Sequence, residues 1–315
     1  MKTITSLADL SSTTFPAGTA VAIGKFDGVH RGHRALLERI ARAADAGLGE
    51  PVVLTFENNP LSVLRPESCP PPIMSRAQRL EALDEAGAAV CVMIPFDERL
   101  AEMPAESFVR DVLVGRLRVR HVCVGRDFRF GNRGAGDVVL LTQLGDQFGF
   151  SVEVVGDVVD PGLGRVSSSN VRAALLAGEI SLATGLLGRY PSVRGVVVHG
   201  DARGRDLGFP TANLGGEIEG LPPVDGVYAG WAVVDGARYQ AAVSVGRNVT
   251  FDPAGEVRVE AFLMDFSGDL YGKTLEIQFV AHLRGMIAFD GVDALVARMH
   301  EDVAQAREIL SATAA

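Results

Sequence analysis

Two kinds of segment alternate along the first 186 residues. Short, mostly apolar runs of strand length lie at 20–23, 51–56, 88–94, 121–125 and 151–155. Segments with apolar residues at helical spacing lie at 34–46, 75–86, 105–117 and 138–148, and another helix begins at 170–176. Apolar strands that alternate with helices are typical of a parallel sheet covered on both faces. The pattern predicts a doubly wound α/β domain whose ligands bind at the carboxyl ends of the strands.

From about residue 192 the pattern changes to alternation of apolar and polar positions. Alternating runs lie at 227–234, 239–245, 257–263 and 275–280, separated by turns rich in glycine, proline and aspartate. Only the segment 292–310 returns to helical spacing. This half predicts an antiparallel β-barrel with a terminal helix. We therefore expect two domains, 1–186 and 187–315.

Composition narrows the class of protein. The 315 residues are 47% hydrophobic and 22% charged, which suits two globular domains, and the net charge of -9 argues against a general nucleic-acid binder. Three widely spaced cysteines without a C-x-x-C pair exclude a disulfide scaffold and fit a reducing compartment. We see no secretory signal and no uncharged apolar run near the roughly 20 residues that span a bilayer. The expected location is the cytoplasm, without membrane association.

The first candidate functional segment is 24–33, which follows the first apolar run. Glycines at 24, 28 and 32 accompany His30 and His33, and a helical period follows. A strand, a glycine-bearing turn and a helix start together aim backbone N–H groups at a phosphate. Two alternatives are a helix start with two surface histidines, and a zinc pair, for which no third ligand is suitably spaced.

The same stretch fits G-x-F-D-G-x-H-x-G-H and resembles the signature of the HxGH nucleotidylyltransferase superfamily. The resemblance implies that His30 and His33 contact ATP phosphates and stabilise charge at the attacked α-phosphate. It also implies that Gly32 lets a nucleotide pack against the helix. Further ATP-binding positions are then Gly24, Phe26, Asp27 and Gly28.

A second segment of this superfamily resembles 166–172, with Ser168, Ser169 and Arg172 before or within a predicted helix. The two serines can cap the helix and offer hydroxyl groups to phosphate, and Arg172 adds a positive charge. The resemblance implies a catalytic role for Arg172. Ser169 stands where threonine is usual and keeps the hydroxyl. The alternative is a plain serine cap.

The segment 125–131 is similar to the G-x-[DN]-F-x-F-G segment of bacterial bifunctional FAD synthetases. The resemblance places Asp127 and Phe128 in the flavin-binding region, whereas an aromatic loop packed over the sheet is the alternative for Phe128 and Phe130. That family usually shows F-[DE]-P-H-P after its second strand, and here Asn59 replaces the histidine. Asn59 is expected on the flavin side, where it can hydrogen-bond phosphate but carries no charge. A weakened or altered adenylyltransferase is therefore a second interpretation.

In the second half, 204–214 resembles the G-[FY]-P-T-A-N motif of riboflavin kinases. Thr211 and Asn213 offer neutral oxygen atoms that suit Mg²⁺ shared with phosphates. Gly208 and Pro210 fix the backbone beside them and are expected to bind ATP. The segment 200–208 would form a glycine-bearing flap over the phosphates.

Glu260 lies in the alternating run 257–263, on the face opposite the apolar residues at 257, 259, 261 and 263. Solvent exposure is the usual position for a strand glutamate. By resemblance, Glu260 matches the general base of riboflavin kinases, which takes the proton from the ribityl 5′-hydroxyl group. The segments 244–248 and 265–272 match the family less specifically, and Val249 stands where proline is usual.

One glycine-rich segment, 268–274, has the look of a phosphate-binding loop. It has three residues between its glycines, where the Walker A motif needs four, and it leads into an alternating strand. We predict a hairpin turn here.

In order and extent the motifs resemble bacterial bifunctional riboflavin kinase/FMN adenylyltransferases (FAD synthetases). The resemblance implies phosphorylation of riboflavin to FMN in the C-terminal domain and transfer of AMP to FMN in the N-terminal domain. ATP would be the co-substrate, Mg²⁺ the cofactor, and FMN and FAD the products or substrates. We expect small-molecule partners only, in a monomer or weak homo-oligomer. A non-catalytic flavin- or nucleotide-binding regulator is the alternative from another class.

Overall fold

The computed structural model describes residues 1–12, 15–200, 208–246 and 257–313. By packing, the chain divides into two compact units, Met1–Ser167 and Ser168–Ala315. No helix within the described residues is long and apolar enough to cross a membrane.

The first unit is built on a parallel sheet with helices on both faces. Its six sheet strands are β1 (Lys2–Ile4), β2 (Thr19–Ile23), β3 (Glu50–Phe56), β4 (Val90–Ile94), β5 (Val119–Gly125) and β6 (Ser151–Val155). Its helices are α1 (Leu7–Ser12), α2 (Arg31–Asp45), α3 (Leu61–Leu64), α4 (Arg76–Glu85), α5 (Glu98–Ala101), α6 (Ala105–Ser107) and α7 (Val138–Phe148). A small antiparallel pair, β7 (Val159–Asp160) and β8 (Gly164–Arg165), follows the sheet.

The strand order is β1-β4-β3-β2-β5-β6, and every neighbouring pair is parallel. The chain runs outward from β2 to β3 and β4, then returns to place β5 on the other side of β2. The order therefore reverses between β2 and β5, and the loops after these two strands meet at the edge where such sheets bind ligands.

Two apolar clusters, one on each face, explain why the strands are apolar throughout. One cluster takes alternate strand residues together with Leu36, Leu37 and Ile40 of α2 and Leu83 of α4. The other takes the intervening strand residues together with Leu141 and Leu144 of α7 and apolar residues of α1 and of the segment 105–114. The predicted doubly wound α/β domain is confirmed.

Local signals account for most helix boundaries. Ser75 caps α4 in a capping box with Gln78, and Gly149 ends α7 in the left-handed conformation. The predicted helix over 105–117 differs in detail, because one short α-helical turn passes into a π-helical segment, Phe108–Val114. We have no physical account of this wider turn.

The second unit begins with α8 (Ser168–Leu176) and α9 (Ile180–Leu187). Six strands follow: β9 (Ser192–Val198), β10 (Ala212–Glu219), β11 (Gly226–Val234), β12 (Ala237–Gly246), β13 (Arg258–Leu263) and β14 (Thr274–Arg284). The last element is α10, Val292–Thr313. The strands close into an antiparallel barrel in the order β10-β13-β12-β11-β14-β9, so the predicted barrel with a terminal helix is confirmed.

The prediction of a hairpin at 268–274 is wrong. The segment connects β13 to β14, but these strands are not neighbours in the barrel. It is a turn that pairs with β9 instead, since the N–H of Gly272 donates to the carbonyl of Val197. Closure of the barrel pairs β14 with β9 and β11, which are distant in sequence, so β14 does not form a hairpin with β13. The rejection of a phosphate-binding loop stands, because a strand follows and not a helix.

The terminal helix covers part of the outer face of the barrel. Ala306 and Leu310 of α10 pack with Ala229 and Trp231 of β11 in one apolar cluster, which also includes Phe262 at its margin. A buried carboxylate, Asp302, receives three hydrogen bonds from Arg284 at the end of β14, and they anchor the helix.

Candidate active sites

The loop after β2 holds an unusual backbone. Phe26 and Val29 have φ values of 51° and 38°, in the left-handed region that side chains with a Cβ rarely adopt. Both side chains are fully buried, and the N–H of Val29 closes the turn on the carbonyl of Phe26. Packing therefore holds a strained turn directly before the two histidines. Such strain is common where a loop must present groups in one conformation.

His30 and His33 lie side by side at the start of α2. Helix α2 begins at Arg31, so His30 is its N-cap residue and its Nδ1 accepts the backbone N–H of His33 at 3.3 Å. The two rings stack with centroids 3.7 Å apart. Because Nδ1 of His30 acts as an acceptor, the neutral ring carries its proton on Nε2. A histidine as N-cap was not foreseen.

Gly32 makes room for His30. A Cβ atom at residue 32 would lie 3.1 Å from both Cε1 and Nδ1 of the His30 ring. The glycine thus allows the close approach of the His30 ring, whatever nucleotide contact it also permits. Phe26 supports the other ring, with its centroid 4.9 Å from that of His33. Since Phe26 is fully buried, its side chain supports His33 and is not open to a ligand.

Asp27 and Arg79 stabilise the loop through hydrogen bonds to backbone groups. A side-chain oxygen of Asp27 accepts the N–H of Ile73 at 2.9 Å. Arg79 of α4, only 8% exposed, donates to the carbonyls of Lys25 and Glu57. Burial lowers the pKa of the Arg79 guanidinium, and the charge of Asp27 opposes this effect. Sequence reasoning missed Arg79. Its position three and four residues before the buried Ala82 and Leu83 is the signal that places it on the inner helix face.

The loop after β3 is held by two asparagines. Asn58 exchanges hydrogen bonds with the backbone of Phe96, donating at 3.0 Å and accepting at 2.8 Å. The Asn59 side-chain oxygen accepts the N–H of Leu61 at 3.1 Å, at the start of α3. Asn59 is half-buried at the same edge of the sheet as the histidine loop. It therefore has a local structural role beside the flavin role predicted for it.

The loop after β5 carries the predicted Asp127 and Phe128. Asp127 is exposed and pairs with Arg165 of β8 at 3.4 Å. Phe128 is half-buried and stacks on Phe130 with centroids 5.4 Å apart, and Phe130 is buried in the core. Phe130 thus follows the packing alternative, whereas Phe128 also keeps a partly open surface.

Charged side chains link the β7–β8 pair to this edge. Arg31, the first residue of α2, pairs with Asp160 at 2.8 Å, and Arg165 pairs with Asp157 at 3.2 Å. The hydrogen bond from Arg31 lowers the pKa of Asp160 below its ordinary value. Because Asp160 is solvated, we ascribe to this pair a role in orientation and little stability.

Ser168, Ser169 and Arg172 all lie on α8. The serines are the first two residues of the helix, and Arg172 is buried. The carbonyl of Leu175 on α8 accepts the N–H of Val224, so this helix is joined to the barrel unit. The sequence pattern alone did not reveal that membership.

In the barrel, register brings two predicted residues, Asn213 and Glu260, into a row with a third polar residue, Ser244. Glu260 of β13 lies directly opposite Asn213 of β10 on one side and Ser244 of β12 on the other. All three are half-buried, while their strand neighbours Val259 and Ala261 are buried inside. Directly opposed residues have Cβ atoms roughly 5 Å apart, so these side chains form one polar patch on the outer face.

The motif 208–213 leads into this patch. Thr211 precedes β10, and its carbonyl accepts the side-chain N–H of Asn213 at 3.4 Å. That bond turns Asn213 Oδ1 away from the carbonyl. A Cβ at Gly200 would lie 2.6 Å from Cγ of Asn213, so the backbone of Gly200 passes directly over the amide.

Phe209 anchors the same motif. It is buried, its ring contacts Phe262 edge-on at 5.2 Å, and it lies 4.8 Å from the ring of His300 on α10. The flanking Gly208 and Pro210 are exposed. The motif is thus pinned between the barrel and the terminal helix, with Gly208 and Pro210 left open to a ligand. The predicted flap residues 201–207 and the segment 247–249 lie outside the described residues.

Asn213 in this patch and Thr211 just before it fit a magnesium ion. Their side-chain oxygens are hard donors of the kind that Mg²⁺ takes, with substrate phosphates supplying the rest. Among the described residues there is no group of three or more histidine, cysteine, aspartate or glutamate side chains that could hold a metal by itself. A magnesium ion here would therefore be shared with a phosphate ligand.

Comparison with known proteins supplies the family. A profile described as FAD synthetase matches residues 12–170, and one described as riboflavin kinase matches residues 187–310. A bifunctional riboflavin kinase/FMN adenylyltransferase from Escherichia coli strain K12 is 35% identical over 314 residues, covering 99% of both chains. The chain belongs to this bifunctional family.

Other members agree in extent. The bifunctional riboflavin kinase/FMN adenylyltransferase of Pseudomonas fluorescens is 38% identical and covers 94% of both chains. A solved structure described as a macrolide-efflux protein from Streptococcus pneumoniae is 32% identical with a TM-score of 0.85, covering 97% of this chain and 98% of that one. The predicted family and both enzyme domains are confirmed. The profiles leave 171–186 unmatched, and the packing divides at Ser167, so the boundary at 186 stays a prediction.

Proposed function

We propose that this protein makes FAD in two steps, each at its own site. Residues 187–315 phosphorylate riboflavin to FMN, and residues 1–186 transfer AMP from ATP to FMN with release of pyrophosphate. The row of Asn213, Glu260 and Ser244 carries the kinase part of the proposal. The stacked pair of His30 and His33 at the start of α2 supports the adenylyltransferase part.

In the kinase step, Glu260 acts as the general base. Its carboxylate takes the proton of the ribityl 5′-hydroxyl group as that oxygen bonds to the γ-phosphorus of ATP and the bond to the β,γ-bridging oxygen breaks. Glu260 suits this role because Asn213 and Ser244 flank it on a half-buried surface. Gly208 and Pro210 lie where the triphosphate would approach.

Thr211 and Asn213 would hold Mg²⁺ together with the ATP phosphates. When bound, the ion neutralises phosphate charge. The chain itself orients these donors: Phe209 pins the motif, and the bond from Asn213 to the carbonyl of Thr211 keeps the amide oxygen available.

In the adenylyl step, a phosphate oxygen of FMN bonds to the α-phosphorus of ATP, and pyrophosphate leaves. No proton must be removed, so the protein acts by positioning and charge stabilisation. His30 donates through Nε2–H, and His33 lies beside it on the first turn of α2. We assign Gly24, Asp27 and Gly28, together with the start of α2, to the phosphate cradle.

The remaining predicted residues have assigned roles in this step. Ser168, Ser169 and Arg172 keep the ATP-phosphate role predicted for them, on the resemblance of 166–172 to the family segment. Asn59 and Asp127 are assigned to the flavin side, and Phe128 offers its open ring surface to the isoalloxazine. Asn59 as a neutral donor still allows a phosphate contact, so we retain the full adenylyltransferase and not its weakened form.

We also place the activity in the cytoplasm, where ATP is abundant. The free thiols support this placement. Cys91 and Cys123 are buried, and burial raises the pKa of each thiol to about 12, so neither is suited to redox exchange.

The test is to incubate the purified full chain with riboflavin, ATP and Mg²⁺, and to separate riboflavin, FMN and FAD by chromatography. We expect FMN followed by FAD, with pyrophosphate formed in step with FAD. FMN alone would support the kinase with an altered adenylyltransferase. Neither product, despite measurable flavin binding, would favour a regulator.

A further inference from the structure

Arg79 is a buried guanidinium at the centre of the first unit's ligand-binding edge. Its side chain enters from α4 and donates to the carbonyl of Lys25 at 3.2 Å and to the carbonyl of Glu57 at 2.8 Å. It also lies 3.7 Å from the sulfur of Met93 on β4. One side chain therefore contacts three successive strand–loop units.

The two carbonyls belong to the loops that matter most for adenylyl transfer. Lys25 directly precedes Phe26, the first strained residue of the turn that presents His30 and His33. Glu57 begins the loop that carries Asn59. Arg79 thus joins the histidine loop to the flavin-side loop through backbone carbonyls of both.

A second buried donor acts on the same carbonyl. The hydroxyl of Thr55, which is fully buried on β3, donates to the carbonyl of Lys25 at 3.1 Å. Two donors on one carbonyl fix the peptide plane between Lys25 and Phe26. That peptide leads into the strained φ of Phe26, so its orientation sets the course of the turn.

Burial of an arginine is costly for the protein. Desolvation lowers the pKa of Arg79, and the charges of Asp27 and Glu57 only partly oppose it. An apolar side chain of similar length would fill the space without that cost. The presence of the charged group is explained by what its fixed, forked donors do to the two loops.

We propose that Arg79 is a positioning residue for adenylyl transfer, which locks the histidine loop and the Asn59 loop in their reactive relation through backbone carbonyls. This inference rests on the proposed adenylyltransferase function. Arg79 affects the reaction rate indirectly, by fixing the positions of the two loops. A displacement near 1 Å of aligned reacting groups lowers the rate about a hundredfold. Because the histidines act on the transition state, the loss falls on kcat and leaves KM for ATP and FMN little changed.

The experiment compares Arg79→Met with a matched control, Arg76→Met, in the full chain. Arg76 lies one turn earlier on α4 and pairs with the Glu57 carboxylate at 2.9 Å on the exposed surface. The readouts are kcat and KM for FAD formation from FMN and ATP, with riboflavin phosphorylation by the same molecules as an internal control. We expect kcat for FAD to fall about 10- to 100-fold in Arg79→Met and less than about twofold in Arg76→Met, with phosphorylation unchanged in both.

Two further variants keep the proposal open to refutation if Arg79→Met does not fold. Arg79→Lys keeps the charge but reaches one carbonyl at a time, and Thr55→Val removes only the hydroxyl; both should lower kcat for FAD by a smaller factor. Wild-type kcat in these variants, or a loss confined to KM, would overturn the proposal. Failure of the unmodified chain to form FAD would instead refute the proposed function.

Discussion

The two proposed sites depend on different kinds of structure. In the first unit, His30, Asn59 and Asp127 lie in loops after parallel strands, and side-chain bonds to backbone groups hold the loops of His30 and Asn59. In the barrel, Asn213, Glu260 and Ser244 lie within strands, and pairing alone sets them side by side. A change in a supporting residue can therefore misalign the loop site, whereas the row of Asn213, Glu260 and Ser244 depends on the strand register.

The sharpest test of the barrel half is Glu260→Gln. The amide keeps the size of the side chain but cannot take a proton, so FMN formation should fall by about 10²- to 10⁴-fold. FAD formation from supplied FMN should stay at the unmodified rate. The measurement is initial rate of each product by chromatography.

Glu276→Gln is the matched control for this change. Glu276 is also a barrel-strand glutamate, and it pairs with Arg194 at 3.2 Å on β14 and β9. Its replacement should leave both rates near those of the unmodified chain. Equal loss of FMN formation in both variants would show that Glu260 matters only as one of several strand charges.

The corresponding change in the loop site is Gly32→Ala. The added Cβ would meet the His30 ring at 3.1 Å, so the imidazole must shift by a few tenths of an ångström. We expect FAD formation to fall roughly 10- to 100-fold, with riboflavin phosphorylation unchanged. Gly156→Ala is the control, because no atom lies within 4 Å of a Cβ at that position. If Gly32→Ala forms FAD at the unmodified rate, the position of the His30 ring does not determine the rate of adenylyl transfer.

A smaller effect on activity is expected at Asn59, whose side chain bonds to the N–H of Leu61 and is also proposed to contact the ligand. An aspartate oxygen can accept the same N–H of Leu61, so Asn59→Asp should keep stability within about 0.5 kcal/mol by thermal unfolding. Its negative charge faces the FMN phosphate in our proposal, so KM for FMN should rise about tenfold. Asn59→Ser keeps an acceptor for that N–H and a donor, and its KM should change little. An unchanged KM in Asn59→Asp would leave Asn59 with only its structural role.

The difference between the sites also explains what could be predicted from sequence. Alternation along 257–263 placed Glu260 on the polar face correctly, because one residue of register moves a side chain to the other face. The capping residue Ser75 and the end of α7 followed from local signals. Such features depend on neighbours in the chain.

What escaped prediction depends on distant parts of the chain. No local signal shows that His30 would cap α2, that a turn at 268–274 would pair with β9, or that α8 would pack with the barrel unit. Arg79 was missed because an arginine on a helix usually faces solvent. Only the assembled edge shows that its guanidinium reaches two loop carbonyls.

The central claim is that one chain holds two independent sites that act in sequence. The most direct measurement is FAD formation from riboflavin and ATP in an equimolar mixture of Glu260→Gln and His30→Asn chains. Asparagine keeps the helix cap but removes the imidazole. We predict that neither variant alone makes FAD from riboflavin, and that the mixture does, because His30→Asn releases FMN that Glu260→Gln adenylylates. A mixture as inactive as its components would contradict the account.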